Sequence, residues 1–142
     1  MKKYFIFLFV FPFLVNCNKN EVNNSNQFIP NVSFGITINT TLPSYQNLQF
    51  ASNAVKINQP NVGVRGIIVF NTGSSYVAYD GACPNQALTS CSDLTVSGIN
   101  ATCPCDNAIY NLFTGLSSGK QYPLKAYRVE VNGTNITVSN WF

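Results

Sequence analysis

Four of the five cysteines in this 142-residue chain, Cys83, Cys91, Cys103 and Cys105, lie between positions 83 and 105. Cross-links within so short a stretch fix the loops that carry them, and with them the ends of the neighbouring strands. An even number of cysteines in an exported domain predicts two disulfides, and four cysteines allow three connectivities. The compartment therefore decides how this segment is read.

The N-terminus supplies the compartment. Met1-Lys2-Lys3 is a positive n-region, and Tyr4 to Val15 is an apolar run rich in Phe. About a dozen apolar residues falls short of the roughly 20 that a membrane-spanning helix needs. The run ends in Leu14-Val15-Asn16-Cys17, which resembles a bacterial lipobox with Asn16 in place of the small residue usual before the cysteine. A signal peptide over 1–16 and a lipid on Cys17 are expected, which makes the membrane a partner of the chain. An ordinary secretory signal with an incidental Cys17 leads to the same disulfide-permissive compartment. Asn18 to Gln27 is polar and Asn-rich with no apolar periodicity. Residues 17–27 are thus expected to be a flexible lipidated tether, and 28–142 a single β domain.

From Phe28 onward the signals are short strands and turns. Val32, Phe34, Ile36 and Ile38 alternate with Ser33, Gly35 and Thr37, the two-residue period of a half-buried strand. Gly66 to Phe70 is a β-branched run expected to be buried on both faces. Asn71 to Ser74 reads as a turn, with Ser75 to Tyr79 as the returning strand. Leu94 to Ile99, Asn100 to Cys103 and Ala108 to Phe113 are further short candidates, and Tyr45 to Phe50 is ambiguous. Ala126 to Val131 places Tyr127, Val129 and Val131 on one face. Asn132 to Asn135 then turns the chain into Ile136 to Val138. No helical apolar period occurs outside the leader, so the fold class is all-β, a small antiparallel sandwich or barrel. Tyr76, Tyr79, Tyr110, Phe113, Tyr127 and the terminal Trp141-Phe142 are expected in packing roles.

Charge excludes several functions. Only 9% of residues are charged, and two of the positive charges behind the net +3, Lys2 and Lys3, fall in the leader. The remaining Lys and Arg are scattered singly, so no nucleic-acid partner is expected. The domain's carboxylates are Asp80, Asp93, Asp106 and Glu130. Asp80, ahead of Gly81, reads as a turn residue, and Glu130 sits on the polar side of a strand. With no paired acid and base, nucleophile elbow or phosphate loop, the chain is not expected to be an enzyme.

Two segments carry a resemblance. Val77-Ala78-Tyr79-Asp80-Gly81 leads into Cys83-Pro84-Asn85, and Cys103-Pro104-Cys105-Asp106 is followed by Ile109-Tyr110-Asn111-Leu112-Phe113-Thr114-Gly115. With Pro123-Leu124-Lys125-Ala126-Tyr127 and the strands to Val138, this layout resembles the Rieske family over about Val62 to Val138. That family holds a [2Fe–2S] cluster with a C-x-H pair and a C-x-x-H pair, two thiolates on one iron and two imidazoles on the other. Here Cys83 and Cys103 match the cysteines, but the histidine positions are Asn85 and Asp106, and the chain contains no histidine. Asn107 and Ala108 stand where the family has a Gly and a Ser whose hydroxyl supports the cluster.

The resemblance therefore implies the fold and a degenerate site with no cofactor. By analogy it also implies the disulfides: Cys83–Cys103, where two thiolates would share an iron, and Cys91–Cys105, where several members bridge their loops. Two alternatives stay open. One is an electron carrier with an atypical [2Fe–2S] cluster on Cys83, Cys103, Asp106 and Cys105 or Cys91. The other is a thiol–disulfide redox protein using Cys103-Pro104-Cys105. The tips of the two loops, around Pro84, Ala87, Leu88, Pro104 and Ala108, are expected to meet an envelope protein partner. Composition and leader together resemble lipoproteins of the Bacteroidetes type, which points to the bacterial outer membrane.

Overall fold

A computed structural model of the chain describes residues 25–140. The expected leader, the lipidation at Cys17, most of the tether and Trp141-Phe142 lie outside the described residues. Nine strands are described: β1 (Gly35–Asn39), β2 (Ala54–Ile57), β3 (Ile67–Asn71), β4 (Tyr76–Asp80), β5 (Thr95–Ser97), β6 (Asn100–Thr102), β7 (Ile109–Asn111), β8 (Ala126–Asn132) and β9 (Asn135–Ser139). They form a six-stranded sheet in the order β1-β9-β8-β4-β3-β2 and a three-stranded sheet in the order β5-β6-β7. Every pairing is antiparallel. The fold is thus all-β, with one turn of 3₁₀ helix, Gln46–Gln49, in the ambiguous Tyr45–Phe50 region.

The continuous apolar run of β3 has a direct cause. Ile67 and Val69 face one core, together with Phe34, Ile38, Leu48, Ala78, Tyr127, Ile136 and Val138. Ile68 and Phe70 face a second core with Tyr79, Leu94, Ala101, Tyr110, Leu112 and Leu124. Because side chains alternate across a strand, a wall between two cores needs apolar residues at every position. β4 continues that wall, joined to β3 by a hairpin whose register runs from Ile67↔Asp80 to Asn71↔Tyr76. The β8–β9 hairpin closes at Asn132↔Asn135 over Gly133 and Thr134, and Gly133 takes the left-handed φ of +60° that a tight turn demands.

β8 changes partners along its length. Only Ala126 and Tyr127 pair with β4, whereas Arg128 to Asn132 pair with β9. Its far end runs beyond the first core. Tyr127 is therefore buried and Val129 partly buried, but Val131, expected on the same inward face, is 52% exposed. Phe113, expected to be core, is also exposed, although its ring packs edge-on against Phe70 at 4.8 Å. Strand β2 carries no clear alternation in sequence. It forms because β3 offers it a free edge, with Ala54 to Ile57 facing Phe70 to Ile67.

Asp80 corrects a sequence expectation. Read as a turn residue, it is instead the last residue of β4 and fully buried. Its carboxylate accepts hydrogen bonds from Val64 N (2.7 Å), Ala82 N (2.7 Å), Arg65 N (3.3 Å) and the Tyr127 hydroxyl (2.5 Å). Burial, reinforced by the Asp80 charge, pushes the Tyr127 hydroxyl far above its ordinary pKa, so this phenol stays a donor. The chain then leaves β4 through Gly81, where a side-chain carbon would come within 2.1 Å of Arg65 O, so only glycine lets the two backbones pass. Replacing Asp80 with alanine strands these buried donors and should cost about 3 kcal/mol, more than the roughly 1–2 kcal/mol expected for Tyr127→Phe. Urea unfolding of the two variants measures the difference, and equal losses would contradict a carboxylate hub.

Candidate functional site

The first cysteine loop starts where Asp80 releases the chain. Its base is closed by Leu94 N to Gly81 O (2.8 Å), Cys83 N to Ser92 O (2.9 Å) and the bridge Ala82↔Asp93. Lys56, reaching from β2, donates to both Asp93 and Leu94 O at 2.6 Å. The second cysteine loop is the tip of the β6–β7 hairpin, closed by Cys103 N to Ala108 O at 2.9 Å. Asn107 adopts a left-handed φ of +56° there, a conformation asparagine tolerates better than most residues.

The two loops meet through sulfur. Cys83 is bonded to Cys103 and Cys91 to Cys105, with Cα–Cα distances of 5.6 and 5.2 Å. This is the pairing that the resemblance implies. Closing loops of 20 and 14 residues, each bridge contributes about 3 kcal/mol in the chain-entropy view. Cys83 and Cys103 are each 1% exposed and belong to the second core. Cys91 is exposed and Cys105 half-buried. The sulfurs of Cys83, Cys103 and Cys105 all lie within 4.8 Å of one another.

The two positions that in the resemblance would be histidine are both turned toward a third segment, residues 117–124. Asn85 donates from its amide to Tyr122 O (2.7 Å) and to the Tyr110 hydroxyl (2.9 Å), and its side-chain oxygen accepts from Tyr122 N (2.8 Å). It thus pairs with the Tyr122 backbone as a neighbouring strand would. Burial raises the pKa of the Tyr110 hydroxyl that receives one of these bonds. Asp106 binds the Lys120 ammonium at 2.6 Å and accepts from Ala108 N at 3.1 Å. The Lys120 hydrogen bond holds the Asp106 carboxyl below the usual carboxylate range, and Asp106 in turn raises Lys120.

Of the third segment only Pro123-Leu124 carries a sequence signal, and nothing points to Lys120 or Tyr122. An Asn at a histidine position was the one available clue, and it says nothing about where the amide turns. The N-terminal boundary also shifts. Asn26, expected in the tether, donates to Pro84 O at 2.8 Å and caps Phe28 N and Ile29 N. Ile29 O, Pro30 O and Asn31 Oδ1 then receive the buried Lys125 ammonium. Pro84 and Ala108 are buried, not exposed at the loop tips, because Asn26 covers the first and the hairpin closure the second. Ala87, Leu88 and Pro104 remain exposed.

The architecture can now be compared with solved structures. The plasma-membrane Rieske protein PetC3 of the cyanobacterium Synechocystis PCC 6803 superimposes with a TM-score of 0.51 at 21% identity, covering 72% of this chain and 97% of that one. The fold is Rieske-like. A quaternary ammonium Rieske monooxygenase, CntA, in its apo form, aligns with the same TM-score of 0.51 at 11% identity, over 79% of this chain and 34% of the enzyme. No family model matches the chain, and no curated protein matches it.

The donor set does not fit the cluster this fold is known for. Imidazole nitrogen is replaced by a neutral amide whose oxygen and nitrogen are both engaged, and by a carboxylate neutralised by lysine. Among the described residues no buried side-chain nitrogen or oxygen lacks a hydrogen-bond partner.

Two substitutions separate these contacts. Asn85→Leu removes three part-buried hydrogen bonds and should cost about 2 kcal/mol at every pH. Asp106→Asn should cost much less, since its ion pair is solvent-accessible. A carboxylate with a depressed folded pKa contributes stability above its unfolded pKa of about 3.9 and loses it as pH falls through the lower folded value. Urea titrations should therefore show the full Asp106→Asn deficit near pH 6 and its progressive fading as pH falls below about 4, while the Asn85→Leu deficit persists. A deficit for Asp106→Asn that grows on acidification would contradict the assignment.

Proposed function

We propose that this chain is a non-enzymatic, lipid-anchored protein of a bacterial envelope, whose Rieske-like domain has exchanged its cluster for disulfides and acts as an interaction module. The observation that carries this reading is the engagement of Asn85 by the Tyr122 backbone and of Asp106 by Lys120. Where relatives of this fold would draw their loops together around iron, two sulfur–sulfur bonds and a polar seam do the same mechanical work. The loops are then free of the constraints that a redox centre imposes on its surroundings.

The lipobox-like Leu14-Val15-Asn16-Cys17 supports attachment through Cys17, at the outer membrane in this reading. Ala87, Leu88 and Pro104 supply an exposed apolar rim beside the outer bridge, and an envelope protein is the partner proposed for it. Absence of a bound cofactor belongs to the same proposal.

The experiment is reconstitution. Fully reduced protein is incubated anaerobically with ferrous iron and sulfide, desalted and examined by visible absorption and acid-labile sulfide assay. The expected result is colourless protein with sulfide well below one equivalent. A stable visible chromophore with two sulfides per chain would overturn the proposal in favour of an electron carrier.

A further inference from the structure

The two bridges are not equally reachable. A thiol in solution meets Cys91, which is exposed, but not Cys83 or Cys103, each 1% exposed. The sulfur at the other end of the outer bridge, Cys105 Sγ, lies within 4.8 Å of both sulfurs of the inner one. It also faces two hydroxyls, Thr89 Oγ1 at 3.6 Å and Ser92 Oγ at 3.8 Å. Thr89 Oγ1 lies 3.2 Å from Cys91 Sγ as well, so one hydroxyl spans the bond to be broken. Hydroxyl donors beside a departing sulfur stabilise the thiolate, and a better-stabilised leaving thiol departs faster. The seat of attack, the leaving group and the next acceptor thus stand in order from solvent to core.

Resting on the reading above that these cysteines are oxidised and not metal-bound, we propose that the two bridges form a thiol–disulfide relay. A dithiol reductant is engaged at Cys91, and Cys105 carries the exchange inward to the Cys83–Cys103 bridge. In the first step a thiolate of the reductant attacks Cys91 Sγ, the Cys91–Cys105 bond breaks, and the electron pair leaves on Cys105. The reductant's second thiol then attacks its own sulfur in the mixed disulfide. Cys91 is released as a thiol, and the reductant departs as its disulfide, two electrons poorer. Next, the Cys105 thiolate attacks Cys83 Sγ and the electron pair of the Cys83–Cys103 bond leaves on Cys103. Attack on Cys103 itself would close a small ring across the single residue Pro104. The net result is Cys83–Cys105, with thiols on Cys91 and Cys103 that carry the reductant's two protons. The second step is an isomerisation and moves no net electrons. Its consequence is mechanical: Cys105 takes the place of Cys103 on the first loop without the core being opened to solvent.

The test is timed reduction of the native, full-length protein with one equivalent of dithiothreitol, quenched with acid, alkylated with N-ethylmaleimide in acidic denaturant so that buried thiols are also labelled, and mapped by mass spectrometry. The relay predicts label on Cys91 first, then on Cys103, with a Cys83–Cys105 linkage appearing before Cys83 is labelled. In a Cys91→Ser/Cys105→Ser variant the Cys83–Cys103 bond should open about tenfold or more slower than in the native chain, because its internal nucleophile is gone. Should that variant fold poorly, the order of labelling in the native chain decides alone. Simultaneous labelling of Cys83 and Cys103 without the Cys83–Cys105 linkage overturns the relay while leaving the oxidised reading intact. Protein isolated with four free thiols and bound iron overturns the oxidised reading itself.

Discussion

The Cys83–Cys103 bond ties the loop that leaves β4 to the tip of the β6–β7 hairpin from within the core the two share. The three-stranded sheet is made of strands of three residues each, too short to persist alone. It survives by placing Ala101, Tyr110 and Leu112 against the back of β3 and β4, and by hanging its hairpin tip on the loop that leaves β4. The bridge sits within the second core, so it is both a covalent link and a packed apolar group. Around it the polar contacts fall into a consistent order. Asp80 sets where the first loop begins, Lys56 pins its return, and Asn85 and Asp106 bind the third segment to both loops.

This arrangement holds a Rieske-like frame together in a chain that contains no histidine. The frame needs its loops approximated, and that demand is met by bonds among the protein's own atoms. The electrostatics are local. Among the described residues the fully buried charges are Asp80, satisfied by three backbone N–H groups and a phenol, and Lys125, satisfied by two carbonyls and Asn31. Burial lowers the pKa of Lys125, an effect that the Asp80 charge partly opposes. Both groups lock chain crossings, which is the usual employment of a fully hydrogen-bonded buried charge.

Much of the frame was legible from sequence because its signals are periodic. The run Gly66 to Phe70 announced a strand buried on both faces, and the two cores on either side of β3 account for it. The turns at Asn71 to Ser74 and Asn132 to Asn135 were legible from glycine and asparagine. What was not legible depended on distant partners. Asp80 looked like a turn residue because the three amides it binds come from outside its strand. Val131 looked inward because alternation cannot reveal where β8 outruns its neighbour. At the site, the resemblance located Asn85 and Asp106 but not what they touch, since nothing in the sequence points to Lys120 or Tyr122. Pro84 and Ala108 looked like exposed tips because neither Asn26 nor the closure of the β6–β7 hairpin could be anticipated from apolarity.

The most direct test is a thiol count on protein purified aerobically without reductant, alkylated in denaturant and analysed by mass. The account predicts no label on Cys83, Cys91, Cys103 or Cys105, and label on each of them only after prior reduction. Four labelled thiols in the unreduced sample, accompanied by stoichiometric iron, would contradict it.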